Sequence, residues 1–363
     1  MTEPVSVYHH TGLESSGGAT RVARLLMEAQ AEAGIEANLS FELGEGPDSA
    51  AILPGDFGRY LPRGAVAHVH CTGDWPALLE AIPPGRRTVI TLHDCELFTG
   101  GCPYPLDCPE LNAGCVPACP RKFPGAADLR KEKLRQIHRL EPALAAPSRW
   151  LARLAKTHLF RPVTVIPNGI PWPERPTSKR EARSRLGINP AARVVLFTAH
   201  GATDAAYKSG NRWKSIWSAL KANVPEALCF TVGGDTAGRD GDLVVWPYVR
   251  REQLALIMAA SDLLLYPTKA DNHSLVLLEA MAQALPAVAY GVGGVPEQIT
   301  DQATGILVEP GNEHAFIQAA TTLLTSGSAC RELGQAAFAA GKKRFTAERM
   351  AADYLKLYRK QAD

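Results

Sequence analysis

Apolar positions along this chain alternate between two rhythms. Short runs rich in Val, Ile, Leu and Ala recur at residues 5–9, 36–41, 66–70, 88–92, 143–147 and 163–167, then at 193–198, 228–233, 244–249 and 263–266. Between many of them lie stretches with helical spacing, at about 20–33, 129–140, 179–186, 252–259, 275–282 and 347–360. Short apolar runs of this kind suit strands covered on both faces, and their alternation with helices predicts parallel sheets in an α/β chain. A proline-rich stretch, IPWPERPTSKR at 170–180, interrupts the alternation and reads as a linker between domains at 1–170 and 171–345.

Composition narrows the class. A chain of 363 residues suits two domains of ordinary size, and 46% hydrophobic with 21% charged residues describes a soluble globular protein. Net charge is +2, from 39 basic and 37 acidic side chains, which is too balanced to predict nucleic acid binding. No apolar run reaches membrane-spanning length, and MTEPVSVYHH lacks the basic and apolar regions of a signal peptide. The expectation is a cytoplasmic protein with reduced thiols.

The densest chemistry lies at 271–294, DNHSLVLLEAMAQALPAVAYGVGG. Asn272 or Ser274 is placed to cap a helix that is apolar except at Glu279. The open amides of such a helix start, here those of Leu275 and Val276, form a ready site for a phosphate-like anion. Glu279 lies one turn deeper, where it can accept from sugar hydroxyls, and Asp271 stands on the turn in front. His273 shares that turn. Taken alone, Glu279 reads equally well as a surface residue and Asp271 as an ordinary cap. Pro286, a short strand and Gly291-Val292-Gly293-Gly294 follow, the glycines offering close approach of backbone to a ligand. Phosphates at the centre with hydroxyls at both ends describe a nucleotide sugar.

Other candidates lie earlier. Gly17 and Gly18 fall between a predicted strand and helix, where backbone can approach a ligand or simply turn. His9, His10, His70 and His93 all stand at predicted strand ends and are expected to share one crevice. Cys102, Cys108, Cys115 and Cys119, within a Cys-rich insertion at 99–120, are spaced C-x5-C-x6-C-x3-C. That spacing leaves a structural tetrahedral zinc, two disulfides or plain thiols open, with disulfides less suited to a reducing compartment. Cys71, Cys95, Cys229 and Cys330 read as small apolar residues. Arg130, Lys131, Lys133, Arg135, His138 and Arg139 make a basic helix, either a solvated face or a contact with an anionic membrane or lipid-diphosphate acceptor.

With Asp271-x7-Glu279, the helix and the Gly293-Gly294-Val295-Pro296-Glu297 loop, the segment resembles the donor-site signature of the retaining glycosyltransferases of family 4, which have the GT-B fold. The resemblance is dense from residue 145 onward and departs from the family where Asp271 replaces the commoner Glu. It implies two Rossmann-like domains facing each other across a cleft, with a last helix at 346–363 packing back on the first domain. It also implies a Gly-Gly donor loop at Gly17-Gly18 and a substrate contact at His93, from the His93-Asp94 step. Lys208, in a Lys-Ser-Gly step, would neutralise the donor diphosphate, with Arg212 and Lys214 as nearby substitutes. The family's usual arginine before that lysine is missing. Tyr248 and Val249 fall where the family cradles the base, and a T-G-G-C segment with later cysteines resembles a subset that builds surface polysaccharides.

The implied reaction moves a sugar, with retention, from a UDP- or GDP-sugar to a carbohydrate or lipid-linked acceptor. No catalytic cofactor or metal is implied if lysine and helix dipole supply positive charge. A peripheral contact with the inner membrane face is implied by some relatives. Competing readings are a GT-B sugar-nucleotide epimerase or phosphorylase, and a non-catalytic nucleotide-sugar-binding subunit.

Overall fold

The computed structural model describes residues 5–47, 49–116, 118–198, 212–234 and 236–360. The chain forms two compact units, Met1–Pro171 with Thr346–Asp363, and Trp172–Phe345. Elements of the first stretch are β1 (Ser6–Leu13), α1 (Gly18–Glu32), β2 (Glu36–Leu43), α2 (Phe57–Tyr60), β3 (Val66–Val69), α3 (Trp75–Ala81), β4 (Thr88–Thr91), α4 (Ala126–Leu140), β5 (Ala143–Ala146), α5 (Arg149–Leu159) and β6 (Val163–Val165). The second contains α6 (Lys179–Leu186), β7 (Arg193–Thr198), α7 (Trp213–Asn223), β8 (Ala227–Gly234), β9 (Gly238–Asp240), β10 (Leu243–Pro247), α8 (Arg251–Ala260), β11 (Leu263–Tyr266), α9 (Leu275–Ala282), β12 (Ala287–Tyr290), α10 (Val295–Gln298), β13 (Ile306–Val308), α11 (Glu313–Thr325) and α12 (Gly327–Arg344). The last helix, α13 (Ala347–Arg359), returns to the first unit.

Among the described residues the first unit has a parallel sheet ordered β2-β1-β3-β4-β5-β6. The strand order reverses between β1 and β3, which opens the ligand crevice of a doubly wound sheet at their carboxyl ends. In the second unit the order is β13-β12-β11-β7-β8-β10-β9, with β9 alone antiparallel among the described strands. Its reversal falls between β7 and β11. The loop after β11 holds Asp271, so topology alone puts that residue at the mouth of a crevice.

One expectation needs correction. The first strand does not stop at residue 9: β1 runs to Leu13, so His9 and His10 lie inside it and are fully buried. Successive residues of a strand face opposite sides, which sends the two rings to different faces of the sheet. The boundary between the two units, Pro171 to Trp172, falls inside the stretch 170–180, and the residues beyond it are packed. Trp172 packs 5.9 Å from the Phe338 ring of α12, and the Thr177 amide donates to Gln283 Oε1 at 3.1 Å.

Candidate active site

In the second unit, one side chain caps α9: Ser274 Oγ accepts from the Leu277 amide at 3.3 Å. The turn before it is held from behind by Gln298, whose Oε1 accepts from the Ser274 amide at 2.8 Å while its Nε2 donates to the Ser274 carbonyl at 2.9 Å. Asp271 is buried and accepts a hydrogen bond from the Tyr266 hydroxyl. Asn272, His273 and Ser274 are buried beside it, with the His273 ring edge-on to Phe345 at 5.2 Å. Within α9 only Val276 and Glu279 are partly exposed. Three residues apart, they share one side of the helix.

The glycine loop packs on the acid-bearing turn. Gly293 has φ +56°, and a Cβ there would stand 2.1 Å from the Asp271 carbonyl oxygen. The Gly294 amide donates to that same carbonyl at 3.0 Å. Gly293 thus brings backbone close to the backbone of Asp271, locking the acid-bearing turn.

The remaining predicted donor contacts separate. Tyr248, just beyond β10, is 71% exposed. Val249 turns its side chain into the hydrophobic core around Val194 and Leu264. Arg212, at the start of α7, pairs with Glu313 at 2.7 Å. Arg212 is exposed and Glu313 partly so, a setting in which an ion pair contributes little. Lys208 lies outside the described residues.

In the first unit, Gly17 has φ +85° at the start of α1, whereas a Cβ on Gly18 would meet nothing within 4 Å. The preceding amides are already used: those of Ser15 and Ser16 donate to Glu45 Oε1 at 3.3 and 2.9 Å. These hydrogen bonds, the Ser15 hydroxyl's first, draw the Glu45 carboxyl down to about 2. The loop is an anion nest filled from within the chain. The four histidines do not share one crevice either. His9, His70 and His93 form a hydrogen-bonded file, while His10 faces the other way, bonded to Ser40 Oγ at 2.9 Å and to Glu42 at 3.0 Å. Sequence reasoning missed His68, Gln30 and Tyr358, which belong to the same network. The alternation His68-x-His70 on a buried strand was the available signal.

The basic helix is corrected in part. Arg130 and Lys133 of α4 are buried, not solvated. Arg130 Nη1 donates to the Leu111 carbonyl at 2.7 Å and lies 3.9 Å from Cys115 Sγ, and Lys133 Nζ donates to the Glu96 carbonyl. Burial draws Lys133 down to about 8. Cys102, Cys108, Cys115 and Cys119 are all free thiols and line one small void of about 20 Å³ with Arg121.

Comparison with known proteins bears on this architecture. The chain superposes on sucrose-phosphate synthase from Thermosynechococcus elongatus with a TM-score of 0.75 at 17% identity, covering 98% of each chain. It superposes on Anabaena Alr3699/HepE, solved in complex with UDP-glucose, with a TM-score of 0.69 at 16% identity, covering 97% of this chain and 98% of that one. The fold is GT-B. Residues 215–326 of this GT-B chain match the family model described as glycosyl transferases group 1. The D-inositol 3-phosphate glycosyltransferase of Segniliparus rotundus is 30% identical over 213 residues, 54% of this chain and 46% of that enzyme. The N-acetyl-alpha-D-glucosaminyl L-malate synthase of Bacillus anthracis is 33% identical over 109 residues, 30% of this chain and 29% of that enzyme. These matches span less than half the length of the curated relatives. Among the described residues, no helix is long and apolar enough to cross a membrane.

Proposed function

We propose that this chain is a retaining glycosyltransferase that takes a sugar from a UDP- or GDP-sugar and gives it to a hydroxyl of a carbohydrate or lipid-linked acceptor. The observation that carries the reading is the turn before α9: a buried Asp271 locked by Tyr266 and the Gly294 amide, with Glu279 on the partly exposed side of the helix. Asp271 holds hydroxyls of the donor sugar and Glu279 those of the ribose. The first-turn amides of α9 and the helix dipole, with Lys208 and Arg212, take the diphosphate. Stabilising that leaving group as its charge builds is the main catalytic task, because cleavage of the glycosidic bond leaves the electron pair on the β-phosphate oxygen. Retention follows if the acceptor attacks from the face that the diphosphate leaves, its proton passing to the departing phosphate. Tyr248 stacks on the base, and Gly17 and Gly18 lie on the first unit's substrate-facing loop. His93 is that unit's contact to a substrate hydroxyl.

The cysteine loop belongs to the same proposal as a structural zinc site. The donor set suits the ion: four thiolates around Zn²⁺ leave a net charge of −2, and Arg121 and Arg130 stand beside them. Among the described residues only His9, His68 and His70 bring three ligand atoms within 4.8 Å, so the sulfurs stand wider than in a closed tetrathiolate and zinc would draw them together. A peripheral membrane contact would fall to the exposed Lys131, Arg135 and His138 of α4, since Arg130 and Lys133 face inward.

The reaction is tested by donor hydrolysis, which needs no acceptor. Incubation with a panel of UDP- and GDP-sugars, followed by ³¹P and ¹H NMR, should show slow release of one nucleoside diphosphate with the sugar first appearing in the donor's own anomeric form. The inverted anomer, or release of the nucleoside monophosphate, would count against the mechanism.

A further inference from the structure

Apart from His93, the histidine network in the first unit has no part in the chemistry assigned so far. Register pairs His9 of β1 with His68 of β3, and the two-residue period sets His70 on the same face. Ligand atoms of these three buried rings lie within 4.8 Å of one another, which invites a metal. Their partners argue otherwise. His9 bonds Gln30 Oε1 at 2.8 Å and His70 at 3.0 Å; His70 bonds His93 at 3.1 Å; His68 bonds the Tyr358 hydroxyl and Thr91 Oγ1, both at 2.8 Å. All six ring nitrogens are occupied, and an ion would have to break several of these bonds at once.

The direction of the protons follows from one end. The Gln30 carbonyl oxygen faces His9 and only accepts, while its amide nitrogen donates to the Tyr358 hydroxyl at 3.0 Å. His9 therefore carries its proton on Nε2 and accepts at Nδ1 from His70 Nε2–H. His70 in turn accepts at Nδ1 from His93 Nε2–H. We propose that Gln30 is a positioning residue that, through His9 and His70, holds His93 as the Nε2–H tautomer, in which its Nδ1 can only accept. The tautomer rests on the hydrogen-bond file alone, and only what His93 meets rests on the glycosyltransferase reading.

The file is a lock and not a relay. A proton passed inward from His93 ends on an amide oxygen, which holds no proton near neutral pH. Burial keeps the rings neutral, drawing His9 and His93 down to about 4 and His70 well below its usual range. The amide itself is held from the far side. Tyr358 of α13 takes the Gln30 N–H and donates to His68 Nδ1, and His68 Nε2–H donates to Thr91 Oγ1, which meets the Tyr354 hydroxyl at 2.7 Å. Turning the amide over would reverse every ring in the file together.

Long-range ¹H–¹⁵N correlation spectra of the full chain, labelled in histidine and free of substrate, read these tautomers directly. The expected result is Nε2–H for His9, His70 and His93 together. Gln30→Met should give a mixed or Nδ1–H signature at His93 in a folded chain. Gln30→Glu, whose carboxylate accepts from His9 in the same way, should keep the Nε2–H pattern. Nδ1–H at His93 in the wild type, or a His93 tautomer unmoved by Gln30→Met, would overturn the proposal. Should Gln30→Met fail to fold, Tyr358→Phe removes the group that holds the amide, and an unchanged single tautomer there is equally decisive against it. Because the spectra involve no substrate, failure of the lock is distinguishable from failure of the glycosyltransferase reading, which donor hydrolysis tests.

Discussion

Gly293 shows how much of the candidate site rests on single atoms. Its φ of +56° is costly for any residue with a Cβ, and that Cβ would also collide with the Asp271 carbonyl oxygen at 2.1 Å. Gly293→Ala should therefore destabilise the second unit by about 2 kcal/mol or more and displace Asp271. Urea denaturation checks the first effect and donor binding the second. Gly18→Ala is the contrast: a Cβ there meets nothing within 4 Å and the residue opens α1, so stability should be unchanged or rise by up to about 1 kcal/mol. The capping serine and the place of Asp271 and Glu279 either side of the start of α9 were legible because that spacing is a property of the chain alone. Tyr266 and Gln298 were not, since their partners are reached through a turn and through a loop 24 residues away.

Among the elements, α4 and the cysteine loop change their meaning once packed. A run of basic residues reads from sequence as a wet surface because Lys and Arg are rarely buried unpaired. Here the loop's own carbonyls are the partners, at Leu111 for Arg130 and Glu96 for Lys133, and no spacing rule foretells that. Gly100 explains part of the T-G-G-C motif: a Cβ there would stand 2.4 Å from the Ala126 carbonyl oxygen, so the loop abuts the first turn of α4. If zinc fills the cluster, the purified chain should hold about one zinc per molecule by plasma mass spectrometry, and a chelator should lower its melting temperature by several degrees. Cys108→Ser or Cys115→Ser should lose the metal. Four titratable thiols with no metal would refute the site. The helices α11 and α12 went unread in the sequence for a simpler reason: alanine, glycine and threonine dominate them, which leaves the apolar stripe faint.

For the whole molecule, the alternation of strand and helix was enough to give two parallel sheets, because buried strands must be apolar whatever they neighbour. Strand order and the histidine file needed the register of β1 on β3, which the sequence does not print. That file also sets how stability varies with pH. His9, His68, His70 and His93 are held neutral by burial, two of them at about 4, against about 6.5 when unfolded. Between those values the unfolded chain binds more protons, so stability should fall as pH drops from about 6.5 towards 4. Asp94 opposes this. Burial raises it to about 7, so the folded chain holds its proton where the unfolded one has lost it, and it favours the acid side of that window. Four rings outweigh one carboxyl, and chemical denaturation at pH 7.5, 6 and 5 should show a net loss.

The most direct test of the account is nucleotide-sugar binding at the turn before α9. A thermal-shift panel of UDP, GDP and ADP with their common sugars should be run on the wild type and on Glu279→Ala. A donor at about 100 times its Kd adds about 2.7 kcal/mol to the native state, which is several degrees in melting temperature. The account predicts that one nucleotide family raises the wild-type melting temperature and that Glu279→Ala, still folded, loses the response. A panel that moves neither protein, or an equal shift in both, would contradict it.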